Sequence, residues 1–189
     1  MPTNALHFKE LLPPGRVALL CNQCSWDFNE GRYLFEIWHE QNMLHRLFMP
    51  EHGLFAELQD QEKLDSTAFY SCLGLDGVDF VSLYGSSESS LSAPLEKLKD
   101  LDAIIIDLQD VGCRYYTFFS TVYKLFQSLK AYGLNISVYI LDSPNPAGRQ
   151  VEGTPLPKEY SSFIGVASRH CSPSRADHRR TVYLSAPFT

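Results

Sequence analysis

The chain has 189 residues, of which 44% are hydrophobic, a size and composition that predict one domain with a sizeable core. Its formal net charge of −6 and pI of about 5.5 exclude a nucleic-acid-binding surface, because no stripe of Lys and Arg lies outside the last twenty residues. No apolar run is long enough to span a bilayer, and the first residues lack the basic-then-apolar layout of a signal peptide. We therefore predict a cytoplasmic protein with neither nucleic-acid nor membrane partners.

Five short apolar runs, rich in β-branched and aromatic residues, predict buried β-strands. In chain order they lie at 16–21, 43–49, 79–84, 103–108 and 136–141, and His45 and Arg46 interrupt the second of them.

Helical patterns lie between these runs. Tyr33, Leu34, Ile37 and Trp38 form one apolar stripe, and Pro94 with Glu96 resembles a first helical turn that leads to Leu95, Leu98 and Leu101. A longer stripe comprises Phe118, Phe119, Val122, Leu125, Phe126 and Leu129, with Gly133 as the predicted C-terminal cap. Strands that alternate with helices predict an α/β fold with a mostly parallel sheet and flanking helices.

Polar residues follow each predicted strand directly. They are Asn22, Gln23 and Cys24; Glu51 and His52; Tyr84; Gln109, Asp110 and Arg114, with Asp107 inside the strand end; and Asp142 and Asn145. Ligands of open α/β sheets bind outside the carboxyl ends of the strands, so these residues predict one crevice rich in carboxylates.

Two segments of this edge carry candidate chemistry. In "PEHGLF" (50–55), Glu51 is either a general acid or base or a solvated loop acid. In "DLQDVGCRYY" (107–116), Asp107 requires a partner if it is buried, and Arg114 is a candidate. Arg114 either braces the loop through that pair or acts as a fork for a substrate carboxylate, and the residues alone do not choose between these roles.

The motifs that the sequence lacks exclude several classes of site. The segment "CNQC" (21–24) has thiol–disulfide spacing, but the five cysteines and six histidines show no complete set of metal ligands. Because no G-x-G-x-x-G, P-loop or G-x-S-x-G motif occurs, we predict no metal and no nucleotide cofactor. The segment "LDSPNPAG" (141–148) predicts a rigid loop in which Asp142 and Asn145 can cap the backbone.

Taken together, "LLCNQCSW", "PEHGLF", "SLYG", "DLQDVGCRYYTF" and "LDSPNPAGRQVEG" resemble, in sequence and in order, the bacterial exo-β-N-acetylmuramidase family over roughly residues 16–170. The resemblance implies a Rossmann-like catalytic domain followed by a smaller second domain. It also implies the removal of N-acetylmuramic acid from the non-reducing end of peptidoglycan fragments, without a cofactor. Residues matching the family's motifs are the catalytic Glu51 and the cleft-lining His52, Asn22, Gln109, Asp110, Arg114, Tyr115 and Tyr116.

This resemblance assigns roles within the crevice. Glu51 would protonate the leaving oxygen, with His52 and Asp110 as further catalytic candidates. The second carboxylate is Asp107, Asp110 or Asp142, unless the 2-acetamido group of the substrate is itself the nucleophile. Arg114 would hold the lactyl carboxylate of muramic acid, and Tyr115 or Tyr116 would stack on the sugar ring. Asn22, Gln109, Asp142 and Asn145 complete the predicted substrate-binding set, and muropeptides or peptidoglycan-derived sugars are the expected partners.

The C-terminal residues depart from the family pattern. After "SRH" (168–170) the sequence becomes basic and loses apolar periodicity. We therefore predict a catalytic-type domain at 1–170 and a truncated or frame-shifted tail at 171–189 that packs poorly, with the second domain missing. The alternatives to a hydrolase are a non-catalytic sugar-binding or remnant domain and a thiol oxidoreductase that uses Cys21 and Cys24.

Overall fold

A computed structural model describes residues 15–55, 73–84, 88–110, 116–143 and 145–146, together with the backbone of 181–184. The strands are β1 (Val17–Cys21), β2 (Trp26–Asp27), β3 (Arg32–Tyr33), β4 (Leu44–Met49), β5 (Asp79–Ser82), β6 (Ala103–Asp107), β7 (Ser137–Leu141) and β8 (Thr181–Leu184). The α-helices are α1 (Leu34–Glu40) and α2 (Phe118–Ala131), and short 3₁₀ helices cover Glu88–Leu91 and Leu95–Lys97. Within these described residues, no helix is long and apolar enough to cross a membrane.

Six strands form one sheet in the order β5-β4-β1-β6-β7-β8. All neighbouring pairs are parallel except β7 and β8, which are antiparallel. The five apolar runs of the sequence form β1, β4, β5, β6 and β7, so the predicted mostly parallel α/β fold is confirmed. The chain moves outward from β1 through β4 to β5 and then returns to the other side of β1 as β6, which is the doubly wound arrangement of a Rossmann-like sheet.

The sheet is buried on both faces. Leu19, Leu47 and Ile105 belong to the apolar cluster that includes α1, whereas Leu20 and Ile106 pack in the cluster that includes α2. This alternation explains why the strands read as continuous apolar runs, since both faces of a parallel sheet are covered.

The two α-helices follow the predicted stripes. Leu34, Ile37 and Trp38 of α1 are buried, as are Phe118, Leu125 and Leu129 of α2. Phe119, placed in the same stripe by the sequence, is instead 44% exposed.

The C-terminal cap of α2 is confirmed at Gly133, which has a φ of +63°. Its amide donates to the carbonyl of Lys130 at 3.1 Å, and the amide of Leu134 donates to that of Leu129 at 3.1 Å. These two bonds form the Schellman pattern that ends many helices at a glycine.

The helix expected after Pro94 is wrong in its extent. Only Leu95–Lys97 is helical, and it is a 3₁₀ turn, because the amides of Lys97 and Leu98 bond three residues back, to Pro94 and Leu95. The five residues between this turn and the start of β6 at Ala103 form turns and irregular backbone instead of continuing the helix.

The charge inside the second apolar run is neutralised at the amino end of the sheet. Arg46 is only 5% exposed. Its guanidinium donates to Asp79 at 2.7 Å, to Asp100 at 2.9 Å and to the carbonyl of Lys97 at 2.6 Å. Hydrogen bonds from Arg46 hold the pKa of Asp100 well below its usual range.

The backbone of Thr181–Leu184 extends the sheet, with Leu141 opposite Thr181 and Val138 opposite Leu184. No pattern in the sequence predicted this edge strand within the expected tail. The rest of 171–189 lies outside the described residues, so the predicted domain boundary near residue 170 stays a prediction.

Candidate functional site

The candidate site lies at the carboxyl edge of the sheet, where the winding direction changes between β1 and β6. These two strands are adjacent and in register from Val17 opposite Ala103 to Cys21 opposite Asp107. Their connections leave in opposite directions, so the loops after them diverge and open a crevice.

Asn22 joins the loops that follow β1 and β6. Its side chain is fully buried, and Nδ2 donates to the carbonyl oxygen of Gln109 at 3.1 Å. Its Oδ1 accepts from the backbone amide of Cys24 at 3.1 Å, which shapes the turn after β1. Gln109 in turn donates from Nε2 to the carbonyl of Asp110 at 2.7 Å. Asn22 and Gln109 therefore both lie at the crevice, where hydrogen bonds within the chain hold their amides.

Glu51 lies directly after Pro50 at the end of β4 and is 7% exposed. The chain turns sharply behind it, with positive φ values of 70° at His52 and 78° at Gly53, and Gly53 donates to the carbonyl of Pro50 at 3.2 Å. Gly53 adopts the left-handed conformation that glycine takes readily. His52 shares the left-handed conformation, which is uncommon for a residue other than glycine.

The carboxyl group of Glu51 is hydrogen-bonded by a residue on the opposite side of the crevice. The hydroxyl of Thr117, the residue preceding α2, donates a short hydrogen bond to Oε2 of Glu51, and Thr117 is itself only 8% exposed. The contact joins the end of β4 to the start of the helix that follows β6, so it spans the point where the winding direction changes.

Asp107 is buried at the end of β6, with 8% exposure. Ser25 Oγ donates to its Oδ2 at 2.5 Å. Burial raises the pKa of Asp107 from 3.8 to about 6, an effect that the Ser25 hydrogen bond partly opposes. The partner that the sequence suggested for this carboxyl, Arg114, lies outside the described residues, so an Asp107–Arg114 contact stays a prediction.

The remaining candidates are spread along β6, α2 and β7. Asp110 is partly exposed and lies at the border of an apolar cavity of about 270 Å³, which is lined by Ile106, Leu108, Phe118, Phe119, Val122, Tyr123, Phe126 and Ile140. Tyr116 is 51% exposed at the start of α2. Asp142, just after β7, has its pKa raised by burial, and Asn145 follows it as a partly buried residue. Tyr115, like Arg114, lies outside the described residues.

The two thiols of "CNQC" are poorly suited to redox chemistry. Cys21 is fully buried within β1, and burial, followed by the nearby charge of Asp107, raises its pKa well above the usual value. The same two causes raise the pKa of Cys24. Reactive cysteines require a lowered pKa, so the geometry argues against a thiol oxidoreductase. Among the residues that the structure describes, no three His, Cys, Asp or Glu side chains are grouped so as to hold a metal ion.

Comparison with known proteins identifies the family of this chain. Residues 17–172 match the family described as exo-beta-N-acetylmuramidase NamZ, N-terminal, a span that contains every candidate site residue from Asn22 to Asn145. The chain belongs to the NamZ family. It is similar to the peptidoglycan beta-N-acetylmuramidase NamZ of Bacillus subtilis (strain 168), with 31% identity over 161 residues. That match covers 84% of this chain but only 37% of the relative.

Two crystal structures of DUF1343 family proteins from Bacteroides fragilis share the fold of this NamZ-family chain. One superposes with a TM-score of 0.65 at 31% identity, and the other with a TM-score of 0.60 at 30% identity. Each match covers 87% of this chain and 40% of the crystallised protein. The chain thus spans about two fifths of the length of the relatives it matches.

Two residues of this candidate site were not predicted from the sequence. Thr117 and Ser25 each donate to a buried carboxyl group, at Glu51 and Asp107 respectively. Thr117 appears in the sequence as a residue preceding a helix, and Ser25 as a loop serine. Only the buried carboxyl of Asp107, which needs a partner, gave a signal that such donors exist.

Proposed function

We propose that this chain carries the catalytic half of a glycoside hydrolase that releases N-acetylmuramic acid from the non-reducing end of peptidoglycan fragments. Family membership and the activity named for the Bacillus subtilis relative support this proposal. The observation that carries it is the position of Glu51, a buried carboxyl fixed at the carboxyl edge of a doubly wound sheet. In this role Glu51 protonates the glycosidic oxygen as the bond to the leaving sugar breaks.

The spacing of the strands favours the acids of β6 as the second carboxyl group. Strand β6 lies two strands from β4, or about 10 Å, and β7 lies three strands away, or about 14 Å. Paired carboxyls of glycosidases are about 5 to 9.5 Å apart, a separation that side chains from β4 and β6 can reach. Asp110 is the better candidate because it is partly exposed, whereas Asp107 is buried against Ser25.

We further propose that Arg114 binds the lactyl carboxylate and that Tyr116, exposed at the start of α2, stacks on the sugar ring. Arg114→Ala should then weaken binding of N-acetylmuramic acid by roughly 10- to 150-fold and spare N-acetylglucosamine. Calorimetric titration of both sugars tests this, and equal losses for the two would contradict it. A cytoplasmic location stays a prediction that cell fractionation can test.

Hydrolysis of a chromogenic β-N-acetylmuramide tests the main proposal. Glu51→Gln keeps the size of the side chain but cannot deliver a proton, so turnover should fall at least about 100-fold. Glu96→Gln is the matched control, because Glu96 is exposed in the 3₁₀ turn at 95–97. Turnover by Glu51→Gln equal to that of the unchanged chain would refute the catalytic role. Sugar binding without turnover by the unchanged chain would favour the non-catalytic alternative.

A further inference from the structure

The hydroxyl of Thr117 is used in an unusual way for its position. Thr117 is the N-cap residue of α2, where a threonine side chain commonly accepts a hydrogen bond from an amide of the first helical turn. Here the side chain makes no capping bond, and its hydroxyl donates to Oε2 of Glu51 instead. The helix gives up its usual cap, and the carboxyl group gains a donor.

Thr117 is itself held firmly by the next turn of α2. Both the backbone amide and the hydroxyl of Thr121 donate to the carbonyl oxygen of Thr117, at 2.9 and 3.1 Å. Thr121 is 1% exposed, and Leu125 anchors the same helix in the core. The donor that faces Glu51 therefore lies on a rigid element rather than on a mobile loop.

We propose that Thr117 is a positioning residue that fixes the orientation of the Glu51 carboxyl group. This inference rests on the proposed function, in which Glu51 exchanges a proton with the substrate. A hydroxyl that donates to Oε2 occupies that oxygen and restrains rotation of the carboxyl group. When Glu51 takes up a proton, the proton is therefore directed to Oε1, the oxygen that Thr117 leaves open, and this is the atom from which it is passed to the glycosidic oxygen.

Carbon-13 NMR of Glu51 at one fixed neutral pH tests this inference without requiring turnover. The δ-carboxyl signal of Glu51 is identified in glutamate-labelled protein as the one missing from Glu51→Gln. Thr117→Val removes the donor and keeps the shape, so the chemical shift of this signal should change. Thr117→Ser keeps the hydroxyl and should restore the chemical shift.

Ser128→Ala is the matched control, since it removes a buried hydroxyl from the same helix without touching Thr117 or Glu51. It should leave the Glu51 signal unchanged. Where the chain hydrolyses the chromogenic substrate, Thr117→Val should also lower kcat by about 10- to 100-fold and leave KM nearly unchanged, because the carboxyl group is no longer held in one orientation for proton transfer.

The outcomes separate this inference from the proposed function. An unchanged Glu51 signal in Thr117→Val, or an equal change in Ser128→Ala, would overturn the positioning role even if Glu51→Gln abolishes turnover. Full turnover by Glu51→Gln would overturn the proposed function, whereas the NMR comparison would still decide whether Thr117 holds the carboxyl group.

Discussion

Replacing Asp107 with Asn tests whether burial of this carboxyl group lowers stability at neutral pH. Burial raises its pKa in the folded chain from 3.8 to about 6, so the folded state holds a proton that the unfolded state has already released. Between about pH 4 and pH 6 the folded state therefore binds one proton more, and the free energy of unfolding falls as the pH rises. The contribution of Asp107 is fully present below pH 4 and is lost above pH 6.

The size of the effect follows from the same values. The two pKa values differ by roughly two pH units, and at about 1.4 kcal/mol per unit the loss is about 3 kcal/mol. Asn resembles the protonated acid and can keep a hydrogen bond to Ser25. We therefore expect Asp107→Asn to match the parent near pH 4 and to exceed it by about 2 to 3 kcal/mol at pH 7.

Urea denaturation at pH 4, 5, 6 and 7, followed by the fluorescence of Trp26 and Trp38, measures this difference. Asp76→Asn is the control, because Asp76 is exposed and its replacement should leave the pH dependence unchanged. The pH dependence of every other group cancels when variant and parent are compared at each pH. Parallel curves for Asp107→Asn and the parent would refute the reasoning.

Three further predictions concern stability and thiol chemistry. Arg46→Met should cost about 1 to 3 kcal/mol in urea denaturation, because it removes the hydrogen bonds of a buried guanidinium to the partly exposed carboxylates of Asp79 and Asp100. Arg32→Met breaks a surface pair and should cost less than about 1 kcal/mol, and equal costs would contradict the difference in burial. His52→Gly should stabilise the fold by up to about 1 kcal/mol, because glycine adopts a φ of +70° without strain. Asn42→Gly should stabilise it less, because Asn tolerates the left-handed region, and a loss of stability in His52→Gly would argue against strain at that residue. Iodoacetamide at pH 7, followed by peptide mapping, should leave Cys21 unmodified and label Cys24 slowly. Rapid labelling of both thiols would instead support a thiol oxidoreductase.

The strands were predictable because a parallel sheet covered on both faces leaves continuous apolar runs in the sequence. The run at 103–108 became β6 at Ala103–Asp107, and the run at 136–141 became β7 at Ser137–Leu141. Even Arg46 did not break its strand, since the ion pairs at the sheet end compensate its charge. These ion pairs depend on residues distant in sequence. The sequence therefore showed that a charge interrupts the apolar run, but not which residues neutralise that charge.

Local patterns failed where backbone geometry depends on neighbours. The apolar spacing of Leu95, Leu98 and Leu101 suggested a helix, yet Leu98 and Leu101 are buried through a 3₁₀ turn and the segment that follows it. The short pair β2–β3 joins Trp26 to Tyr33 through two-residue strands that no period-2 pattern could indicate. The burial of Leu98 and Leu101 was correctly inferred, but the backbone path was not determined by it.

The polar contacts at the carboxyl edge show why the candidate residues were predictable while their partners were not. Asn22 to Gln109, Ser25 to Asp107 and Thr117 to Glu51 connect residues that are 87, 82 and 66 positions apart. Each contact satisfies a buried polar group that would otherwise cost free energy, and two of them directly connect the segments after β1 and β6. Thr117 and Glu51 add a connection from β4, so three strand ends are held in one arrangement before any sugar arrives. An edge fixed in this way would hold Glu51, the proposed proton donor, without reorganisation during the proposed hydrolysis of a glycosidic bond.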